Sequence, residues 1–139
     1  MYLKINHPIK ENMSCNCGSG KTYNECCEIA HHSLKAVKTA EQLMRSRYTA
    51  FTLANGDYLM ESHHVSTRPV SEKENIVAWA KSVEWVELSI LSSTSGLASD
   101  INGTVFFKAY FKEKGRLRFI EEHSKFVKED GCWYYLGFV

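Results

Sequence analysis

The chain has 139 residues, a formal net charge of +1, 44% hydrophobic and 12% aromatic content, a composition that suits one ordinary globular domain with a small appendage. No apolar run approaches the roughly 20 residues of a membrane span, and basic residues are interspersed with acidic ones, so neither a membrane helix nor a nucleic-acid footprint is expected. The first residues lack the apolar stretch of a secretory leader, so a cytoplasmic setting with reduced thiols is expected.

Residues 1–13 read as a polar N-terminal arm in which Pro8 interrupts any helix. Residues 14–32 read as a separate knuckle. Its core, S-C-N-C-G-S-G-K-T-Y-N-E-C-C, places Cys15, Cys17, Cys26 and Cys27 at the spacing C-x-C-x8-C-C. A Cys26–Cys27 disulfide would join Cα atoms about 3.8 Å apart, below the usual range of roughly 4.4–6.8 Å. The two other connectivities need an oxidising compartment. Four converging thiolates are instead the ligand set of a closed structural zinc site. Gly18-Ser19-Gly20 can form a turn with φ > 0 that aims backbone N–H groups at the sulfurs of Cys15 and Cys17. Lys21 offsets the charge of four thiolates around one divalent ion. One structural Zn2+ is therefore expected, with an iron–sulfur cluster or disulfides as the alternatives. A phosphate loop is excluded, because the Walker spacing is absent and no strand precedes the glycines. A helical turn is expected over residues 22–27, followed by a linker. His31 and His32 are read as solvated linker residues, since four sulfurs already fill a tetrahedral shell.

Residues 33–139 carry the larger pattern. A helix begins at Thr39, a candidate N-cap with Gln42 three residues on. Ala40, Leu43, Met44, Arg47, Ala50, Phe51 and Ala54 fall on one face at helical spacing. Arg47 sits inside that stripe and needs a partner; Arg45 points the other way, towards solvent. Asn55-Gly56 ends the helix. A second helix covers residues 57–63. A third starts near Ser71, with Glu74 completing a capping box and Ile76, Trp79, Ala80 and Val83 as its apolar face. From Glu84 the pattern switches to period two, with strands at 85–92, 104–111, 117–127 and 132–139 and tight turns at 113–115 and 129–131. Three helices followed by four antiparallel strands is an α+β layout, helices packed on a curved sheet in a half-open cone.

The run C-N-C-G-S-G-K-T-Y-N-E-C-C resembles the SEC-C motif, the zinc module best known from the tail of the SecA translocation motor. That resemblance implies zinc ligands at Cys15, Cys17, Cys26 and Cys27. Asn16 stands where the motif usually carries proline, and Asn24-Glu25 replaces a more basic pair. Downstream, A-E-Q-L-M-R-S-R-Y-T-A-F (40–51), D-Y-L-x4-H (57–64), Glu84-Trp85, E-x-S-x-F (122–126) and G-x-W-Y-Y (131–135) resemble the YchJ-like family. Its middle region is similar to the nuclear transport factor 2-like fold, which implies the same helices-then-sheet cone.

Such a cone commonly holds a pocket, and the candidates for it are Arg47, Tyr48, His64 and Glu122. Glu122 shares a strand face with Ile120, Ser124 and Phe126, and is expected to pair with Arg47. Tyr48, Asp57 and His64 are the residues that acid–base chemistry would use. Cys132 reads as a small buried residue; Trp133, Tyr134, Tyr135 and Phe138 read as core. The leading expectation is a non-catalytic zinc-binding adaptor for a protein partner. The alternative is an enzyme or small-ligand binder, with a small anion at Arg47. Emptying the knuckle is expected to disorder residues 14–27 while the domain from residue 39 stays folded.

Overall fold

The computed structural model describes residues 13–139; the expected N-terminal arm, residues 1–13 with Pro8, lies outside them except for Met13. The knuckle opens on a bridge between Ser14 and Thr22. Gly18 (φ 78°) and Gly20 (φ 88°) take the left-handed conformations that the turn between Cys17 and Lys21 requires. A 3-10 turn at Tyr23–Glu25 leads into helix α1, Cys27–His32. The expected linker at His31 and His32 is therefore the last turn of a helix.

Helix α2, Ala40–Thr52, is capped as its sequence predicts: the Thr39 hydroxyl accepts from the Gln42 N–H at 3.1 Å. Ala54 (φ 54°) closes it. Asn55 then does the opposite of ending a helix. Its side chain accepts from the Tyr58 N–H at 3.1 Å and starts helix α3, Gly56–Glu61. The capping box expected at Ser71 does not form, because Ser71 lies within a 3-10 turn, Val70–Glu72, and helix α4, Lys73–Ser82, begins without a side-chain cap.

Strands β1 (Glu84–Ser95), β2 (Asn102–Glu113), β3 (Arg116–Glu129) and β4 (Cys132–Phe138) form one antiparallel sheet in the order β1-β2-β3-β4. Lys114-Gly115 and Asp130-Gly131 both carry positive φ at successive positions, the two-residue turn that matches the twist of flanking strands. Backbone pairing extends β1 and β2 past their apolar alternation, as far as Ser95 opposite Gly103.

The fold is α+β, with the helices laid on one face of the sheet. Val105, Phe107, Ala109 and Phe111 of β2 point into the core with Trp85, Trp133, Tyr48, Phe126, Leu43 and Leu59. Helix α2 is buried on more than the predicted stripe: Ser46, Thr49 and Thr52, on its opposite side, are also buried. The knuckle covers them.

One close approach fixes the start of α2. The Ala40 N–H donates to the Gly96 carbonyl at 2.9 Å. A Cβ at Gly103 would lie 2.4 Å from the Gly96 Cα and 3.2 Å from the Ala40 Cβ. Backbone cannot yield as a flexible side chain does. Gly103→Ala is expected to cost about 1–3 kcal/mol, read as a lowered urea midpoint with an unchanged slope.

Candidate functional site

The sulfur atoms of Cys15, Cys17, Cys26 and Cys27 all lie within 4.8 Å of one another. Cys17 and Cys26 are 3.6 Å apart, and Cys26 and Cys27 3.9 Å. A tetrahedral site with metal–sulfur bonds of about 2.3 Å has sulfur–sulfur edges of about 3.8 Å, so the cluster has the size and chemistry for one metal ion. Hydrogen bonds with Cys15 and Cys27 pull the Cys17 thiol far below its ordinary range. The contacts with Cys15 and Cys17 push Cys27 well above it, and burial pushes Cys26 up. Four thiols so close cannot all ionise without a cation among them; a bound metal removes that conflict. The Gly-Ser-Gly turn contributes mainly through Ser19. Its hydroxyl lies 3.2 Å from the Cys26 sulfur, and its backbone N–H reaches Cys17. The Gly18 N–H instead donates to the Cys15 carbonyl at 3.2 Å.

The knuckle docks on the outer side of α2. Arg45, expected to be solvated, donates from Nη1 to the Cys17 carbonyl at 2.6 Å and from Nε to Glu41 at 3.1 Å. Asn16 donates to the Thr52 hydroxyl at 3.0 Å, and the Cys15 sulfur lies 3.7 Å from the Thr49 hydroxyl. His31 is no solvated linker residue either. Its Nε2 donates to the Ser46 carbonyl at 2.9 Å, so Nδ1 accepts from the Tyr23 hydroxyl at 2.9 Å. Its ring packs 4.7 Å from Tyr58, and burial lowers its pKa. A groove of about 480 Å³ runs between knuckle and α2, lined in part by Gly18, Lys21, Ile29, Glu41 and Arg45.

On the other side of α2 the cone holds a cavity of about 250 Å³. Met44, Tyr48, Phe51, Trp79, Trp85 and Phe107 are among the residues that wall it, with Arg47, His63, Glu122, Ser124 and Tyr135 among its polar groups. Arg47 does not pair directly with Glu122. Its Nη1 donates to the Leu59 carbonyl at 2.9 Å and to the Ser62 hydroxyl at 2.7 Å. The guanidinium carbon lies 4.7 Å over the Tyr135 ring. The Tyr135 hydroxyl in turn donates to Glu122 Oε2 at 2.7 Å, and the Ser124 hydroxyl donates to the same oxygen. Tyr135 thus stands between the two charges. Burial pulls Arg47 down to about 10, which leaves it cationic at neutral pH.

Of the two neighbouring histidines, it is not the expected His64 but His63 that reaches the cavity. His64 lies outside the cavity, accepting at Nδ1 from the Ser66 N–H and donating from Nε2 to Glu129 at 2.9 Å. His63 lines the cavity, edge-on to Tyr135 at 4.9 Å, and donates from Nε2 to the Thr67 hydroxyl at 3.1 Å. Asp57, the third acid–base candidate, pairs with Lys73 at the surface. Cys132 is buried.

Burial, and then the charges of Arg47 and Arg68, hold His63 near pH 4, below its ordinary 6.5. Between those values the unfolded chain binds a proton that the folded one refuses, so stability falls as pH drops from 6.5 to 4. The contribution is on the order of 2 kcal/mol. His63→Gln is expected to flatten that part of the pH profile, measured as urea midpoints at pH 7 and pH 4.5.

No helix among the described residues is long and apolar enough to cross a membrane. Residues 39–137 match the family model described as YchJ, middle NTF2-like domain, and residues 12–29 match the SEC-C motif. A UPF0225 protein of Vibrio parahaemolyticus is 43% identical over 88% of this chain and 72% of its own length. A UPF0225 protein of Geobacter sulfurreducens is 39% identical over 87% and 75%. Two solved structures share the fold. A SEC-C motif containing protein from Rhodopseudomonas palustris has a TM-score of 0.77 at 36% identity, covering 89% of this chain and 95% of that one. Another, from Psychrobacter arcticus, has a TM-score of 0.72 at 32% identity, covering 93% and 78%.

Proposed function

The chain belongs to the YchJ-like family, in which an NTF2-like domain is joined to a SEC-C motif, and we propose on that footing that it is a zinc-binding adaptor for a protein partner. The closed four-sulfur cluster carries this reading. With Cys15, Cys17, Cys26 and Cys27 as ligands, a four-coordinate zinc has no position left for a substrate, so the metal's contribution is to hold the knuckle's shape. That shape forms one wall of the groove beside α2. The exposed Ile29 (49% accessible), Lys21 and Glu41 give this groove the mixed apolar and charged character of a transient protein contact.

Native mass spectrometry of protein purified without chelator tests the metal: one zinc per chain is expected. A metal-free mass four hydrogens light, meaning two disulfides, or a mass carrying iron, would overturn it. The adaptor role is tested by comparing cross-linked partners of the wild type with those of Ile29→Asp. The variant should keep its zinc and its fold and lose the partner; an unchanged set of partners would count against the groove.

A further inference from the structure

We propose that the cone cavity binds a small, uncharged one-ring carboxamide or lactam, its carbonyl accepting from Arg47 and its N–H donating to Glu122. The site is separate from the metal knuckle and would stand if the zinc reading failed.

The first observation is which polar atoms a guest can reach. Among the described residues, the Tyr48 hydroxyl is the one side-chain polar atom both sealed from solvent and unbonded. Arg47 spends only Nη1 on the protein, at the Leu59 carbonyl and the Ser62 hydroxyl. Its Nε and Nη2 are idle among those residues yet not sealed, so they hold part of the little surface that Arg47, 7% exposed, retains. That surface opens on the cavity Arg47 lines, beside two other lining residues: Tyr135 under its guanidinium and Glu122, whose charge acts on it. Glu122 is placed in the same way. Its Oε2 takes the hydroxyls of both Tyr135 and Ser124, while Oε1 takes none and is not sealed. Ile120 and Ser124, its neighbours on the same face of β3, line the cavity with it. A guanidinium this buried gains from any acceptor that meets its idle N–H groups.

Charge then sets the guest's polarity and decides against the small anion that the sequence suggests. Arg47 brings one positive charge and Glu122 one negative charge, with Tyr135 between them. His63 adds none. Thr67 gives its own hydroxyl hydrogen to the Leu136 carbonyl, so His63 Nε2 donates to Thr67 and Nδ1 is left as a neutral acceptor. A carboxylate guest would set a second negative charge near Glu122, and an amine a second positive charge near Arg47, each uncompensated in an apolar enclosure. A ketone would leave Glu122 Oε1 idle. A carboxamide meets both residues without net charge, and each of its two hydrogen bonds has an ionised partner.

The wall states what the rest of the molecule is made of. Trp79 and Trp85 stand edge to face at 5.4 Å, and Trp85 meets Phe51 at 5.9 Å. Together with Met44 and Phe107 these rings offer a flat guest apolar contact on several sides. The volume, about 250 Å³, lies below the roughly 300–1,000 Å³ of drug-sized sites, which fits a molecule of one substituted ring.

Benzamide, acetophenone and benzoate share the ring and differ in donor and charge. Each is titrated into the full-length protein while the indole N–H resonances are followed by NMR, which reads the roughly millimolar affinity of so small a guest. Benzamide is expected to shift Trp79 and Trp85 saturably and to leave Trp133, outside the cavity lining, in place. Acetophenone is expected to bind about fivefold more weakly than benzamide, and benzoate at least tenfold more weakly. In Glu122→Gln the new amide carbonyl can keep the Tyr135 and Ser124 hydroxyls and turn its N–H groups to the guest. This variant is expected to weaken benzamide about fivefold or more, to leave acetophenone within twofold, and to bind benzoate more tightly than benzamide. Arg47→Met is expected to weaken benzamide and acetophenone alike, about tenfold. The proposal is overturned if benzamide fails to shift Trp79 and Trp85 or shifts Trp133 as much. It is also overturned if acetophenone or benzoate binds the wild type as tightly as benzamide, or if Arg47→Met leaves benzamide unchanged. Should Glu122→Gln fail to fold, the wild-type ranking of the three probes still decides; if it folds and keeps benzamide ahead of benzoate, the role given to Glu122 is wrong.

Discussion

Chelating the metal is expected to disorder residues 14–32, to leave the cone folded, and to lower the melting temperature of that cone by about 10 °C or more. The first part follows from the site itself. Metal sites in isolated zinc fingers are worth on the order of 10–16 kcal/mol, and Cys15, Cys17, Cys26 and Cys27 form the centre of their own small buried cluster with Tyr23. The second part follows from α2. Its inner face packs Leu43, Met44, Tyr48 and Ala50 into the main core, which involves no knuckle sulfur. The third part is a consequence of docking. Losing the knuckle breaks the contacts of Arg45 with Cys17, Asn16 with Thr52, His31 with Ser46 and Cys15 with Thr49. At about 0.5–1.5 kcal/mol each, these four sum to several kcal/mol, and 1 kcal/mol moves the midpoint of a domain this size by roughly 4–8 °C. Calorimetry with and without chelator measures the shift. All three tryptophans, Trp79, Trp85 and Trp133, lie in the cone, so their fluorescence reports whether it survives. Loss of knuckle and cone in one step would contradict the expectation.

Replacing Arg47 separates charge from packing. Arg47→Ala is expected to cost about 3–5 kcal/mol. It removes the donor to the Leu59 carbonyl and Ser62, strips the cation from the Tyr135 ring, and enlarges a cavity that is already present. Glu122 keeps Tyr135 and Ser124 but loses its nearest counter-charge on the wall. Arg47→Met restores most of the volume without a buried charge, and is expected to cost only about 1–2 kcal/mol. Urea unfolding of the pair decides. Equal losses would mean that the hydrogen bonds, and not the space, hold α2 to α3; a loss below 0.5 kcal/mol for Arg47→Ala would mean that Arg47 does not anchor the two helices at all.

The elements that could be read from sequence are those whose signal is local. Val105, Phe107, Ala109 and Phe111 alternate and form an inward face; Thr39 and Gln42 make their cap; the tight turns expected at 113–115 and 129–131 form, with left-handed backbone at Lys114-Gly115 and Asp130-Gly131. What failed depended on which distant element arrives. The apolar stripe places Arg47 in the core, where it lies, but nothing local says that the Leu59 carbonyl and the Ser62 hydroxyl at the end of α3 reach it in place of Glu122. The backbone has left α3 before His63, and the bridge from His63 to Tyr135 decides which ring turns inward. Arg45, Ser46, Thr49 and Thr52 look like a solvated helix face, because the cover that buries them comes from residues 14–32. A polar face rich in short hydroxyls, where lysines and glutamates would be more usual, was the one available hint.

The double use of α2 bears on transplantation. Along this helix the residues alternate in allegiance: the Ser46 carbonyl and the Thr49 and Thr52 hydroxyls serve the knuckle, Arg47 and Tyr48 the cone. The stretch 12–29 therefore does not travel as a free cartridge. A graft onto another scaffold would need a helix bearing an arginine and two threonines at the spacing of Arg45, Thr49 and Thr52, with the carbonyl at position 46 open to accept from His31, or the motif would arrive with its ligands intact and no seat.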